Sequence, residues 1–266
     1  MSTPAELDDQ SLARAVEQNA ADLLLRMGAA GGGHARDGDV VWSLGGSPVD
    51  YHNAVVGADL EADAADSAIA ESRELLARAA LPGTWHVGPS MRPLDLPARL
   101  EAAGFAADGD EPGMAASLDR MVEHRVPGID IETVSDARAL SEWVEALGSG
   151  FGEGPREAEW VGEVFDRMGL GHPDLRLVLA RRNDRVVGTA TVFFSSGVAG
   201  LYFVSTVPEA RRQGVGAFLT RGAMAAARDA GARHVVLTSA AAGRPLYESL
   251  GFRQVCTIRL YTWRPS

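Results

Sequence analysis

The sequence contains no lysine and only one cysteine, Cys256, and these absences exclude several classes of functional site. One cysteine cannot form an internal disulfide framework or a cysteine-rich metal site. Without lysine there is no Schiff-base nucleophile and no lysine-dependent phosphate loop of the kind that binds nucleoside triphosphates. The six histidines show no paired spacing typical of metal ligands, so we expect no metal.

Long apolar segments are also missing. No run approaches the roughly 20 apolar residues of a membrane-spanning helix. Residues 1–6 lack the basic-then-apolar pattern of a signal peptide. We therefore expect a soluble, cytoplasmic protein with no membrane partner. With 46% hydrophobic residues, the 266-residue chain can bury one large core or two modest ones.

The net charge of −11 is spread unevenly along the chain. Residues 1–125 hold 9 Arg against 21 Asp and Glu, whereas residues 126–266 hold 16 Arg against 15. The acidic first half argues against nucleic acid as a partner, because binding a polyanion requires a basic surface. The second half is the better place for an anionic ligand.

The most informative motif is Arg211–Ala217, which reads Arg-Arg-Gln-Gly-Val-Gly-Ala. It follows Gly200–Val204, an apolar run typical of a strand, and opens a helical segment that reaches about Ala230. The start of a helix presents free N–H groups and the positive end of the helix dipole, and glycine lets a ligand approach the backbone closely. The motif therefore predicts a phosphate-binding turn.

A second motif, Pro245–Phe252, predicts a short helix that contains Tyr247 and is terminated by Gly251. Around the two motifs, hydrophobic periodicity predicts the order β-α-α-β-β-β-α-β-α-β, with the last strand divided in two. The predicted strands are 129–133, 175–180, 186–194, 200–204, 234–238, 252–255 and 257–261. The predicted helices are 136–147, one ending at 168, one from the turn to about 230, and 244–250, with a glycine-rich loop at 148–156.

The first half carries an echo of the second motif. Pro97–Phe105 aligns with Arg244–Phe252 at an offset of 147, and both are short helices ended by Gly-Phe. Leu100 stands where the second half has Tyr247, and residues 58–82 contain no glycine where a phosphate turn should lie. The predicted strands here are 39–44, 51–56, 84–87 and 114–118, and the predicted helices are 11–27, 59–81 and 97–103. A glycine-rich loop at 28–38 is predicted to be a flexible turn, and residues 119–128 are the predicted domain junction.

Arg-x-x-Gly-x-Gly between strand and helix, followed about 35 residues later by Tyr-x-x-x-Gly-Phe, resembles the GNAT acetyltransferase superfamily over about residues 129–264. With the echo, the resemblance implies an α/β (α+β) chain of two tandem GNAT-like domains. Each would be a mixed, mostly antiparallel sheet flanked by helices. We expect residues 1–125 to form a degenerate domain that does not bind CoA, and residues 126–266 to form the catalytic domain. The alternative is that the Gly-Phe match is a coincidence.

The resemblance implies acetyl-CoA as the donor, without a metal. It places the pyrophosphate on the backbone N–H groups of the turn, beside the charge of Arg211, and the pantetheine arm along the end of the preceding strand. Where the family often has asparagine this chain has Ala240, and Ser239 beside it is the candidate hydroxyl for the CoA arm. The implied donor-binding residues are Val204, Ser205, Thr206, Val207, Arg211, Arg212, Gln213, Gly214, Val215, Gly216, Ala217 and Ser239.

Tyr247 is the candidate general acid, because a phenol placed near the thioester sulfur can protonate the departing thiolate. The general base is not identified by the sequence. Candidates are Glu153, Glu157 and Glu159 near the predicted acceptor loop and His172 near the strand that follows it. Tyr202, on the strand before the phosphate-binding turn, is another candidate. A water chain that takes the amine proton is a further alternative.

The function implied by the resemblance is acetyl transfer from acetyl-CoA directly to an amine of a small molecule or a protein. We expect a monomer or a homodimer. Two alternatives stay open: a non-catalytic module that binds and senses acyl-CoA, and transfer to a hydroxyl or of a longer acyl chain. The acceptor is not specified, because acceptor pockets are formed by loops whose shape a sequence does not give.

Overall fold

The computed structural model describes residues 7–36, 38–121, 127–152 and 154–265. Within these ranges the strands form one eleven-stranded sheet in the order β1-β2-β3-β4-β11-β5-β10-β9-β8-β7-β6. The strands are β1 (His34–Arg36), β2 (Val40–Leu44), β3 (Ala54–Ala58), β4 (Gly83–Val87), β5 (Ala106–Ser117), β6 (Asp130–Thr133), β7 (Leu175–Arg182), β8 (Arg185–Ser195), β9 (Val198–Thr206), β10 (His234–Thr238) and β11 (Arg253–Trp263). The helices are α1 (Asp9–Ala30), α2 (Ala65–Ala79), α3 (Leu96–Ala102), α4 (Ala137–Gly150), α5 (Pro155–Met168), α6 (Val215–Asp229) and α7 (Arg244–Ser249).

The predicted fold class is confirmed. Neighbouring strands of the sheet pair antiparallel except for β3 with β4 and β9 with β10, which are parallel. A parallel pair requires a crossover connection, and here helices supply both crossovers: α2 joins β3 to β4, and α6 joins β9 to β10. The sheet is therefore mixed and mostly antiparallel, with helices packed against it.

The two halves of the chain exchange their last strands. Strand β5, from the first half, lies between β10 and β11, whereas β11, from the end of the chain, lies between β4 and β5. Gly113 of β5 pairs with Thr238 of β10, and Tyr261 of β11 pairs with Trp85 of β4. Each half is thus completed by a strand of the other, and the two β strands at the centre join both halves in one sheet.

Helices cover both faces of the central sheet, and alternation along β10 identifies which helix covers which face. Val236 packs with Leu12 and Val16 of α1, whereas Leu237 packs in the cluster that contains Leu219 of α6. Successive side chains of a strand point to opposite faces, so α1 and α6 lie on opposite sides of the sheet. We call these sides the α1 face and the α6 face. Helices α4 and α5 share a core with α1.

Short-range sequence features account for the bounds of several elements. Asp136 caps α4, because its carboxylate accepts the N–H of Ala139 at 2.8 Å. The hairpin between β7 and β8 turns at Asn183 and Asp184, whose φ angles of 49° and 61° are typical of a type I′ turn. Strand 234–238 has the predicted bounds.

Other predictions about elements are wrong at their ends. Tyr51 is in a 3₁₀ turn, Asp50–His52, and the strand predicted at 51–56 is Ala54–Ala58. The helix predicted at 59–81 begins at Ala65, because the N–H of Leu60 is bonded to the carbonyl of Arg92 instead. It ends at Ala79, followed by Ala80 in a left-handed conformation.

Further segments also differ from the prediction. The strand predicted at 114–118 begins at Ala106, because pairing with β11 extends it. The strands predicted at 252–255 and 257–261 are one strand with a bulge between Gln254 and Cys256. The loops predicted at 148–156 and 28–38 are shorter than expected, since α4 continues to Gly150, α1 continues to Ala30, and β1 occupies 34–36.

The predicted junction at 119–128 includes residues 122–126, which lie outside the described residues. The domain division at residue 125 therefore stays a prediction.

Candidate active site at the opening between β9 and β10

Two parallel neighbours in the sheet separate along their length. Strands β9 and β10 pair only through Ala199 with Val235 and Gly200 with Val236. Beyond this point β9 continues to pair with β8 as far as Thr206, and β10 continues to pair with β5 as far as Thr238. We call the gap that results the β9–β10 opening.

Backbone groups at the end of β9 face this opening. The N–H of Val207 donates to the carbonyl of Val187, on the β8 side, at 3.1 Å. Because backbone groups alternate between the two edges of a strand, the N–H and carbonyl of Thr206 are directed to the opposite side. The N–H of Thr206 is therefore available to an extended polar chain lying between the strands, whereas its carbonyl accepts from Arg211.

A bulge bends β9 beside the opening. The register shifts between Thr189 and Thr191 of β8, and Phe203 has a φ of 49°, which is uncommon for a residue other than glycine. The Phe203 ring is held among Trp143, Phe151 and Phe165, at centroid distances of 5.5–6.2 Å. Packing therefore maintains a backbone conformation that changes the direction of the strand at this point.

The turn that opens α6 presents unpaired donors. Arg212 and Gly214 have φ angles of 57° and 80°, and the first helical bond is from the N–H of Phe218 to the carbonyl of Gly214. In the described part of the chain, no backbone or side-chain acceptor bonds the six N–H groups between Arg211 and Phe218. These donors belong to Arg212, Gln213, Gly214, Val215, Gly216 and Ala217. Such unpaired donors at the positive end of a helix dipole are favourable to an anion.

This turn lies beside the opening. A Cβ atom at Gly216 would be 3.4 Å from the Thr206 hydroxyl oxygen and 3.5 Å from a methyl carbon of Leu246. The turn, the end of β9 and the start of α7 therefore meet at one place. Glycine at this position keeps the space between them open.

The basic residues of the motif have different surroundings. Arg211 donates from Nε to the Thr206 carbonyl and from Nη2 to the Gly150 carbonyl, both at 3.1 Å, so its guanidinium ties β9 to the end of α4. Gln213 accepts from Arg182 at 2.6 Å. Arg212 is exposed. The positive charge predicted beside the turn is present.

Tyr247 lies on the α6 face, at the edge of the core that contains Leu237. Its ring is edge-on to Phe252 at 5.6 Å. Burial raises the pKa of its hydroxyl to about 12, so the group stays protonated at neutral pH. Within the described residues the hydroxyl has no hydrogen-bond partner. A partly buried phenol that keeps its proton and has no internal partner is available to a ligand.

Two predicted serines are buried. The Ser239 hydroxyl donates to the Ala240 carbonyl at 2.8 Å, and the Ser239 N–H donates to the Pro112 carbonyl at 3.0 Å. The Ser205 hydroxyl, also buried, has no partner among the described residues. The predicted contacts of both residues with CoA stay predictions, as do those of Val204, Thr206 and Val207.

The first half contributes side chains to the α1 face near the opening. His52 Nε2 lies 2.9 Å from Oε1 of Glu157, and its ring is stacked on Trp160 at 5.1 Å. Tyr51 donates its hydroxyl to Glu111 of β5 at 3.0 Å. Sequence reasoning missed Tyr51, His52 and Glu111, because only the strand exchange brings them to this position.

The predicted candidate bases do not come together. Glu157 is buried with His52, Glu159 is exposed, and His172 lies near Arg26 and Asp174. Tyr202 donates to Asn19 Oδ1 at 2.7 Å, and burial raises its pKa. Glu153 lies outside the described residues.

The corresponding gap in the first half is filled by the chain itself. Parallel strands β3 and β4 pair only near Val55 and Trp85. Next to this pairing the N–H of Arg92 donates to the Ala58 carbonyl at 2.9 Å, and the N–H of Leu60 donates to the Arg92 carbonyl at 3.3 Å. The backbone groups that an inserted ligand would use are therefore already bonded.

The echo between the halves is visible in helix α3 and helix α7. The N–H of Phe105 bonds to the Leu100 carbonyl at 3.0 Å, and the N–H of Phe252 bonds to the Tyr247 carbonyl at 3.1 Å. Gly104 and Gly251, with φ angles of 88° and 91°, end the two helices in the same way.

In the parts of the chain that the structure describes, no cluster of three or more His, Cys, Asp or Glu side chains is arranged to hold a metal ion. Across the same residues, no helix is both long and apolar enough to span a bilayer.

Residues 139–252 match the family model of the acetyltransferase (GNAT) family. The chain thus contains a GNAT-like domain over these residues. No curated protein sequence gives a significant match.

Solved structures support the fold over nearly the whole chain. A GCN5-related N-acetyltransferase from Kribbella flavida is 18% identical, with a TM-score of 0.70, and the match covers 93% of this chain and 96% of that one. A functionally unknown conserved protein from Staphylococcus epidermidis is 14% identical, with a TM-score of 0.66 and coverage of 88% and 95%. A tandem GNAT protein from the clavulanic acid biosynthesis pathway is 16% identical, with a TM-score of 0.60 and coverage of 85% and 79%.

Proposed function

We propose that the protein is an acetyl-CoA-dependent N-acetyltransferase whose active site lies in residues 126–266. The observation that carries the proposal is the β9–β10 opening with unpaired N–H groups at its mouth. In this proposal the pyrophosphate binds the turn before α6, and the amides of the pantetheine arm pair with the backbone of Thr206. The thioester then lies near the bulge at Phe203.

The proposed reaction is direct transfer to an amine of a small molecule or a protein. The amine nitrogen attacks the thioester carbonyl carbon, the carbon–sulfur bond breaks, and the electron pair remains on sulfur. Tyr247 donates its proton to the thiolate, since its pKa of about 12 leaves the phenol protonated throughout the neutral range. Fixing donor and acceptor side by side supplies a large part of the rate enhancement.

We also propose that residues 1–125 do not bind CoA. The support is the gap after β3 and β4, which the backbone of Arg92 fills, and the start of α2, where Ala64 replaces a left-handed glycine. Asp66 in the first turn of α2 is paired with Arg99 at 2.8 Å, and its carboxylate would repel a phosphate. The first half then serves as a scaffold and as one wall of the acceptor site.

One observation favours a second function, a non-catalytic module that senses acyl-CoA. The 3₁₀ turn Asp50–His52 packs on the α1 face near Phe203, with ring centroids of His52 and Phe203 6.1 Å apart. A first half that covered this side completely would leave no access for an acceptor. Donor binding without transfer would follow.

The two functions are separated by measuring release of free CoA thiol from acetyl-CoA in the presence of a panel of primary amines, with acetylated products identified by mass spectrometry. The proposed enzyme releases thiol only when an amine is present. Acetyl-CoA binding measured by calorimetry, with no amine-dependent release, would identify the sensing module instead. Failure to bind acetyl-CoA would exclude both.

A further inference from the structure

We infer that Glu111, on the strand exchanged from the first half, binds the nitrogen of the acceptor as a primary ammonium ion and accepts its proton. This inference rests on the proposed acetyltransferase function. It assigns the acceptor side of the site to residues that neither the sequence motifs nor the matched segment 139–252 includes.

The charge of the Glu111 carboxylate supports this inference. Glu111 is partly buried, and its contacts are two hydroxyls: Tyr51 donates at 3.0 Å, and Thr238 also hydrogen bonds to the carboxylate. Among the described residues no arginine or histidine forms an ion pair with it. A carboxylate removed from water without a cationic partner is unfavourable. Burial accordingly raises the pKa of Glu111. An ammonium ion would supply the missing charge.

The position of Glu111 in the sheet also supports it. Thr238 is the last residue of β10 and shares the α1 face with Val236, two residues earlier. Glu111 and Gly113 point to the same face of β5, and Gly113 is paired with Thr238. Glu111 therefore lies beside the end of β10, at the β9–β10 opening, on the face opposite Tyr247. The base and the acid are then placed on opposite sides of the thioester.

The surrounding groups supply no competing cation. His86 of β4 donates from Nε2 to the Tyr51 carbonyl at 3.0 Å, and burial lowers its pKa to about 4, so it is neutral. Burial raises the pKa of Tyr51 and of Tyr202 on β9, so both phenols stay protonated. His52, in the same 3₁₀ turn as Tyr51, is directed to Glu157 instead. On β11, Ile258 is opposite Glu111.

The proton balance is complete. The ammonium R–NH₃⁺ gives one proton to the Glu111 carboxylate and becomes the nucleophilic amine. After its attack on the thioester, the nitrogen loses a second proton to solvent, while Tyr247 protonates the CoA thiolate and recovers its proton from solvent. Overall, R–NH₃⁺ and acetyl-CoA give the acetamide, CoA thiol and one proton. Glu111 releases that proton to solvent.

The test compares wild type with Glu111→Gln, which keeps the shape of the side chain and removes its charge. Glu74→Gln, on the exposed side of α2, is the matched control. CoA-saturated protein is titrated in a calorimeter with butylammonium and phenethylammonium, and with butanol and phenethyl alcohol as neutral counterparts. Acetyl-CoA affinity and thermal stability are measured for each variant.

We expect at least one ammonium probe to bind wild type and Glu74→Gln, and to bind Glu111→Gln roughly tenfold more weakly or worse. The alcohols should not distinguish the variants. For the better probe as substrate, transfer by wild type should decline on acidification as Glu111 takes up a proton, and this decline should be absent from the residual activity of Glu111→Gln.

Equal affinity of wild type and Glu111→Gln for the ammonium probes, or no binding of either probe to wild type, overturns the inference. Acetyl-CoA affinity reports separately on the proposed function, because the donor site does not include Glu111. If Glu111→Gln proves unstable, Tyr51→Phe serves instead. It removes the hydrogen bond to the carboxylate and keeps the charge, so it should still bind the ammonium probes, and loss of their binding in this variant contradicts the assignment of binding to the charge.

Discussion

Tyr247 is the proposed proton donor, and burial keeps its hydroxyl protonated. Its ring packs against Phe252, and its pKa of about 12 keeps the phenol protonated at any pH at which the enzyme is assayed. Its hydroxyl is free of partners in the described part of the chain. In the proposed reaction this proton donor acts on the departing thiolate and contributes little to the binding of acetyl-CoA.

Replacing Tyr247 by Phe should therefore reduce amine acetylation by roughly 100-fold, at the lower end of what proton transfer contributes. Acetyl-CoA affinity should change little, because the phosphate and pantetheine contacts are elsewhere. Steady-state kinetics and calorimetry measure the two effects. Tyr261→Phe, in the separate core of the first half, is the control and should leave both unchanged. Parallel loss of donor binding and activity in Tyr247→Phe would show that the residue is structural.

His86 makes the stability of the fold depend on pH. Burial lowers its pKa from 6.5 to about 4. Between these pH values the unfolded chain binds a proton at His86 and the folded chain does not. The stability that neutral His86 contributes to the fold is therefore lost as the pH falls from 6.5 to about 4. The free energy of unfolding should decrease by about 3 kcal/mol from this group by pH 4.

Urea unfolding at several pH values measures this dependence. His86→Gln should show a smaller loss of stability between pH 6.5 and 4 than wild type does. His172→Gln, at a more exposed site, should follow the wild-type curve. If His86→Gln retained the full acid sensitivity, the effect would have another origin.

At the residue scale, sequence reasoning placed the donor-side candidates but not the acceptor-side ones. Arg211–Ala217 and Tyr247 lie within local motifs whose geometry follows from glycine placement and helix starts. Tyr51 and Glu111 carry no such signal. These two residues are 60 positions apart in the sequence. Their contact beside Thr238 depends on strand pairing between the halves.

At the scale of elements, the start of α6 determines how closely a ligand can approach. Gly216 is helical, and a methyl group there would be in ordinary contact with Thr206 and Leu246, at 3.4–3.5 Å. The fold can thus accept alanine at this position, although the space beside the turn becomes smaller.

Gly216→Ala should keep or raise the melting temperature, because alanine favours helix by up to about 1 kcal/mol over glycine. Acetyl-CoA affinity should fall by about tenfold, since the added methyl group narrows the approach to the unpaired N–H groups. Calorimetry and thermal unfolding measure the two. Gly171→Ala, where a Cβ meets no atom within 4 Å, is the control. Unchanged donor affinity in a stable Gly216→Ala protein would place the donor elsewhere.

Element prediction succeeded where local chemistry decides the outcome. The β-branched run of β10 gave both bounds of that strand, and Asp136 gave the start of α4. It failed where tertiary pairing decides. Residues 106–113 contain glycine, proline and acidic residues that disfavour a strand, yet they extend β5 because β11 pairs along them.

At the scale of the whole molecule, the exchange of β5 and β11 makes the two halves one structure. The repeated helices α3 and α7 were visible in the sequence as the Gly-Phe echo. The exchange was not, because each strand has the same pattern whether it pairs within its half or across. The same exchange brings Glu111 to the β9–β10 opening, so the first half supplies a side chain beside the proposed site.

We propose one acetyl-CoA site per chain, formed by the second half. Its most direct test is the stoichiometry of acetyl-CoA binding to the full chain, measured by titration calorimetry. The structure predicts one molecule per chain, because the first-half gap is filled by the backbone at Arg92. Two molecules per chain, or none, would contradict it.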